Sequence, residues 1–230
     1  LAIQCDSEER GKMSALFFLI VISTVFWSMF EQSGGSMTLF ADRATDLTLF
    51  SMELTAAQFG SANAIFIILL SPLFALMWPA LLSNNIEPST PAKFGLGIVQ
   101  VGLGFGALLI GLNNPDSAGL VSAWWLVLAY FLHTSAELCL SPIGLSAVTK
   151  LSIARYVGVM MGAWFLASAY GSYLASELAI FFSSIGGEDG RLDNSGFNAL
   201  FTELLMYGVG VGIAVLLVSP LVRRLMKDVR

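Results

Sequence analysis

Residues 118–148 read AGLVSAWWLVLAYFLHTSAELCLSPIGLSAV, and Glu137 is the only Asp, Glu, Lys or Arg between Asp116 and Lys150. A helix needs about 20 mostly apolar residues to cross about 30 Å of hydrocarbon, so this stretch predicts a membrane span. Glu137 lies in its middle. A carboxylate at that depth costs on the order of 2.5–3.5 kcal/mol, and acids so placed face a partner or a water-filled cavity. Glu137 is therefore the first functional candidate, and it points toward transport.

Working outward, apolar runs of spanning length recur. The expected spans are Met13–Phe40, Ala56–Leu82, Phe94–Leu112, Ser117–Thr149, Ile153–Ile185 and Phe197–Val222. Proline-bounded turns separate them at Asn84–Pro91 and Asn113–Asp116, and a longer polar loop runs from Gly186 to Gly196. Lys150 to Arg155 is the shortest connection, which predicts a tight antiparallel pair of the fourth and fifth spans. The expected organisation is a polar end over 1–12, a six-helix bundle over 13–222 and a C-terminal tail over 223–230. Composition agrees: of 230 residues, 56% are hydrophobic and 12% charged, with mean hydropathy +0.78. A soluble domain carries about 25% charged residues.

Six spans put both ends on one side. Arg10, Lys12, Lys93, Lys150, Arg155, Arg223, Arg224, Lys227 and Arg230 then share that side, against Arg43 and Arg191 opposite. This asymmetry predicts a multi-pass cell-membrane protein with both ends of the chain cytoplasmic. Cys5 falls in the polar end and Cys139 inside a span, so no structural disulfide is expected. Leu1 stands where a complete product would carry Met, and a fragment or processed chain is expected. No phosphate-cradling glycine loop, metal-ligand spacing or nucleophile elbow occurs, so neither an enzyme nor a metal or organic cofactor is expected. Nucleic acid is not an expected partner, because the only basic run, Arg223 to Lys227, serves as a topology signal. The third span carries Gly95, Gly97, Gly102, Gly104, Gly106 and Gly111, with Gly102 and Gly106 in small-xxx-small register, and reads as packing scaffold.

Polar residues recur at i, i+4 within three spans, which places each set on one helix face. They are Trp27 with Glu31, then His133, Glu137 and Ser141, then Trp164 with Ser168. Asn63 adds an amide from the second span. Together they predict a polar cavity holding carboxylates for proton or amine binding. The plainer alternative for Glu137 and Asn63 is interhelical hydrogen bonding. For Trp27 and Trp164 it is ordinary lipid contact. His133, alone of its kind, is expected as a hydrogen-bonded packing residue.

The stretches Phe26-Trp27-Ser28-Met29-Phe30-Glu31-Gln32 and Thr38-Leu39-Phe40-Ala41-Asp42-Arg43 resemble the seventh helix of the proton-dependent oligopeptide transporters of the major facilitator superfamily. Asn63-Ala64-Ile65-Phe66 through Ser71-Pro72-Leu73-Phe74 resembles the eighth helix of that family, and Pro88 to Phe94 the loop that follows. Glu137-Leu138-Cys139-Leu140-Ser141-Pro142-Ile143-Gly144 and Gly158 to Ala167 resemble the tenth and eleventh. The chain departs from the pattern at Ser33, where a second glutamine is common, and at Ala136, where glycine often precedes the glutamate.

The resemblance implies the C-terminal six-helix bundle of a proton-coupled di- and tripeptide symporter working by alternating access. Its partners would be small peptides, protons, a missing N-terminal bundle and the bilayer. It implies substrate contact by Glu137, Asn63, Trp27, Phe30, Ser141, Trp164 and Ser168, and proton coupling or gating by Glu31, Glu137 and Asp42. Relatives on this fold that carry nitrate or other small organic solutes remain an alternative, as does a non-transporting six-span membrane subunit.

Overall fold

A computed structural model describes residues 6–185 and 194–227 of the chain. The expectations for Cys5, for residues 186–193 of the polar loop and for Arg230 fall outside them. Among the described residues, six helical stretches are long and apolar enough to cross a membrane. The first is composite: helix α1 (Ser7–Phe30), a 3-10 turn (Glu31–Ser33) and α2 (Ser36–Ala44). The others are α3 (Ala56–Ser83), α4 (Thr90–Leu112), α5 (Ala123–Leu151), α6 (Val157–Ile185) and α7 (Asn194–Met226).

The ends of several helices differ from the expected spans, each for a local reason. Asp6 caps α1 through the amides of Glu8 and Glu9, and Glu9 reaches back to the Asp6 amide, so the helix starts at Ser7. Likewise α7 runs to Met226. The polar ends are thus partly helical continuations of the spans, and they meet. Lys227 Nζ donates to Glu8 Oε2 at 2.6 Å, and a Cβ on Gly11 would lie 3.2 Å from the Leu225 carbonyl oxygen. The fourth span starts at Ala123, later than Ser117. Gly119 has φ +80°, the Asp116 carboxylate accepts from the amides of Ala118 and Leu120, and Val121–Ser122 pairs in parallel with Thr45–Asp46.

Packing radiates from α4, whose glycines serve two faces seven residues apart. On one face, Cβ atoms at Gly95 and Gly102 would lie 3.0 Å from the Gly212 carbonyl oxygen and the Val209 amide nitrogen of α7. On the other, Gly97 would meet the Ala136 carbonyl of α5 at 3.1 Å, Gly104 abuts the His133 ring and Gly111 the Trp125 ring. Such close backbone approach is what small residues provide between helices in lipid. The scaffold role expected of this span is thereby seen in its contacts, with Gly106 contributing the looser fit to Leu205 at 3.3 Å. Phe40, Phe105, Phe197 and Phe201 fill one end of the bundle, with ring centroids 5.3–5.8 Å apart.

The short connection at Lys150–Arg155 does not produce the expected tight pair. Ala154–Tyr156 forms a 3-10 turn, and α6 makes its larger contact with α1 rather than α5. There Gly171 lets α6 approach within 3.0 Å of the Thr24 carbonyl oxygen and 3.1 Å of the Ser28 amide, measured from its ideal Cβ. Loop length limits how far two helices can separate; backbone clearance decides which neighbour is touched. By contrast α3 is an edge helix. Only 6% of its apolar window is buried, and Ile68, Leu69 and Leu76 are exposed.

Gly102→Leu is expected to lower the thermal unfolding midpoint of the full-length protein, because it forces α4 and α7 apart at a cost of about 1–3 kcal/mol. Gly210→Ala, at a helical position with nothing within 4 Å, is expected to leave the midpoint unchanged or slightly raised. Light-scattering or fluorescence melts in detergent check both.

Candidate functional site

The first span breaks where its candidate acid stands. Helix α1 ends at Phe30, and Gly34-Gly35 lets the chain restart as α2. A break inside a membrane leaves backbone groups without helical partners, and water is not there to satisfy them. Side chains do so here. Thr38 Oγ1 and Tyr130 OH donate to the Ser33 carbonyl at 2.9 and 3.3 Å. Gln32 is 1% exposed; its Nε2 donates to the Ala175 carbonyl of α6 at 2.9 Å, and its Oε1 accepts from Ser36 Oγ at 2.7 Å. Glu31 sits half-buried at the start of this fixed break.

Glu137 is half-buried on α5, and Asn63 of α3 donates its Nδ2 to Glu137 Oε2 at 3.0 Å and to Thr134 Oγ1 at 3.1 Å. Glu31 is close enough to act electrostatically on Glu137. Among the described residues no lysine or arginine pairs with either acid. Phe30, half-buried, lies 6.3 Å from the His133 ring and 5.4 Å from the Trp27 ring. Trp27 packs its Cβ against Gly171, and its Nε1 is buried without a partner. Ser141, one turn beyond Glu137, is half-buried. The structure thus brings Asn63, Thr134 and Glu137 together between α3 and α5, while Phe30 and Trp27 pack on each other at the end of α1, next to the turn that carries Glu31.

Two expectations need correction. His133 does not share the Glu137 stripe. It turns onto α4 instead, as the hydrogen-bonded packing residue expected, 1% exposed with its Nε2 3.1 Å from the Val101 carbonyl. Trp164 does not line an open face. It is 2% exposed, its indole occupying the volume that Gly144 leaves empty, 6.2 Å from the Phe94 ring. Asp42, expected as a gating acid rather than a cavity residue, is exposed on the last turn of α2. Ser168 stays half-buried and donates to its own helix at the Trp164 carbonyl, 3.3 Å away; Ser172 and Ser176 continue this ladder.

Thr134 was not among the sequence candidates. Its signal was present, three residues before Glu137 and so on an overlapping face, but a threonine in a span is common and drew no attention. Further along the α3–α5 seam, a crevice of about 610 Å³ is walled by Phe74, Trp78, Leu138 and Pro142. At its edge Lys93 is buried, paired with Glu87 and 4.2 Å above the Trp78 ring.

Comparisons with known proteins bear on the family and the fold. Residues 2–192 match the model of the POT family. The chain is 38% identical, over 96% of its length, to "Peptide transporter YePEPT" of Yersinia enterocolitica, of which it covers 42%. It is 31% identical over 98% of its length to a "Di-/tripeptide transporter" of Lactococcus lactis, of which it covers 44%. A crystal structure of "peptide transporter POT in complex with sulfate" superposes with a TM-score of 0.84 at 35% identity, covering 97% of this chain and 43% of that one. The chain therefore spans less than half the length of the relatives it matches. With six apolar helices in the arrangement of a major facilitator half, it is a membrane protein, and it belongs to the POT family.

Proposed function

We propose that this chain is the C-terminal six-helix half of a proton-coupled di- and tripeptide symporter working by alternating access. The observation that carries the reading is that two carboxylates, Glu31 and Glu137, stand half-buried within spans and neither is paired with a cation of the described residues. A carboxylate in such surroundings is stable when protonated or when it meets a cation from outside the bundle. Two cations fit the proposal: the amino end of a peptide, and a basic side chain from an N-terminal bundle. Protonation of either acid would release its cation and bias which side of the membrane the cavity opens to. Asn63 would hold Glu137, Phe30 and Trp27 would wall the site, and Ser141 and Ser168 would add hydroxyls. Trp164 would support the wall from behind, and Asp42 would act at the outer gate. The only coupling agent in the proposal is the proton.

The partner surface follows from exposure. Helices α3 and α6 present Ile65, Leu73, Phe165, Leu166 and Tyr170 outward, and a second six-helix bundle would cover part of this area and complete the cavity. The nine-to-two division of basic residues supports a multi-pass protein of the cell membrane with both ends of this chain cytoplasmic.

In the full-length protein, Glu137→Gln is expected to reduce proton-driven dipeptide uptake at least about 30-fold, the loss that follows from removing one member of a buried charge pair. Folding should survive, because glutamine can still accept from Asn63. Glu31→Gln is expected to flatten the pH dependence of uptake more than it weakens peptide exchange across non-energised liposomes. Wild-type pH profiles in both variants would mean that the acids only tie helices together. The 230-residue chain reconstituted alone is expected to show no saturable uptake, since it supplies one wall of the cavity.

A further inference from the structure

Thr134 is 0% exposed, so nothing carried through the cavity touches it, yet it ends the hydrogen-bond chain that reaches Glu137. We infer that Thr134 is a positioning residue that sets the orientation of the Asn63 amide, and through it which atoms of Asn63 and Glu137 are left for a ligand. This rests on the symporter reading and goes one step further, to a residue behind the site.

The direction of the chain follows from its far end. Thr134 Oγ1 lies 2.8 Å from the Tyr130 carbonyl oxygen, which can only accept, so the hydroxyl proton is committed there. The lone pairs of Oγ1 then require a donor, and Asn63 supplies one through Nδ2 at 3.1 Å. The second Nδ2 proton goes to Glu137 Oε2 at 3.0 Å. Both amide protons are thereby used, and Asn63 Oδ1 is turned away from the carboxylate. Reversing the amide would set Oδ1 against an ionised Glu137, and would pull the Thr134 proton off the Tyr130 carbonyl. A hydroxyl on the hidden side of Asn63 thus keeps the amide donating to Glu137. It leaves two acceptors, Asn63 Oδ1 and Glu137 Oε1, for the incoming group. Such a pair selects a ligand end rich in N–H.

Without the hydroxyl, Asn63 keeps only its contact with Glu137 to distinguish its two orientations, and that contact stops discriminating whenever Glu137 carries a proton. Thr134→Val keeps the shape and replaces only the hydroxyl. In the full-length protein it is expected to raise the KM for dialanine about tenfold, the equivalent of one net hydrogen bond, with kcat within about twofold of wild type. Thr134→Ser keeps the hydroxyl and is expected to restore the wild-type KM. In an Asn63→Ala background, Thr134→Val is expected to add less than about twofold, because its effect passes through the amide. A wild-type KM in Thr134→Val, no rescue by serine, or a full tenfold addition in the Asn63→Ala background would each overturn the assignment. If the wild-type protein accumulates no di- or tripeptide, the symporter reading fails by itself. The thermal midpoints of the wild type, Thr134→Val, Asn63→Ala and the double variant then decide the Asn63–Thr134 coupling: additive shifts refute it, and non-additive shifts uphold it.

Discussion

Inside a hydrocarbon layer every polar group has to find its partner within the protein, and this constraint accounts for most of what is unusual in the bundle. The first span breaks at Glu31, and Thr38 and Tyr130 donate to the Ser33 carbonyl that the break leaves without a helical partner. Gln32 also joins the break to α6 through the Ala175 carbonyl, so the position of Glu31 is tied to a neighbouring helix. The same demand draws Asn63 onto Glu137 and Thr134. Breaks and acids in a membrane are tolerated where other side chains are arranged around them, and those arrangements are where a function can be built.

The scaffold follows a different rule. No hydrophobic drive separates helix from lipid, so contact area and close backbone approach hold the helices together. The α4 glycines give two faces of such approach, one to α7 and one to α5. Gly171 does the same between α6 and α1, beside Trp27. A five-helix centre results, with α3 at the edge carrying Asn63. The site therefore lies between a well-packed helix, α5, and an edge helix, α3, where the Asn63 amide bonds Glu137 and Thr134 and Phe66 packs on Phe131.

The six spans were legible in the sequence because hydropathy and length decide membrane crossing, and both are read along the chain. Glu137, Asn63 and Glu31 were legible for a related reason: a polar residue in a span is costly wherever the helix is placed. Helix ends were less so. Asp6 and Asp116 set their boundaries through specific side-chain-to-amide bonds, which outweigh the hydropathy of the residues beside them. Residues Trp164 and His133 show the limit of periodicity. Each lies within a turn of a site residue, yet one fills the hollow at Gly144 and the other the hollow at Gly104.

The sequence by itself determined that this is a six-span helical membrane protein, where its costly polar groups lie and which family it resembles, because these depend on residue identity and local order. Only the tertiary structure decided that α6 leans on α1, that Trp164 is core and that the Asn63 amide donates to Thr134. Those outcomes depend on which backbones can approach each other and which donor is left over once every nearer acceptor is filled. Neither quantity is carried by any one stretch of chain.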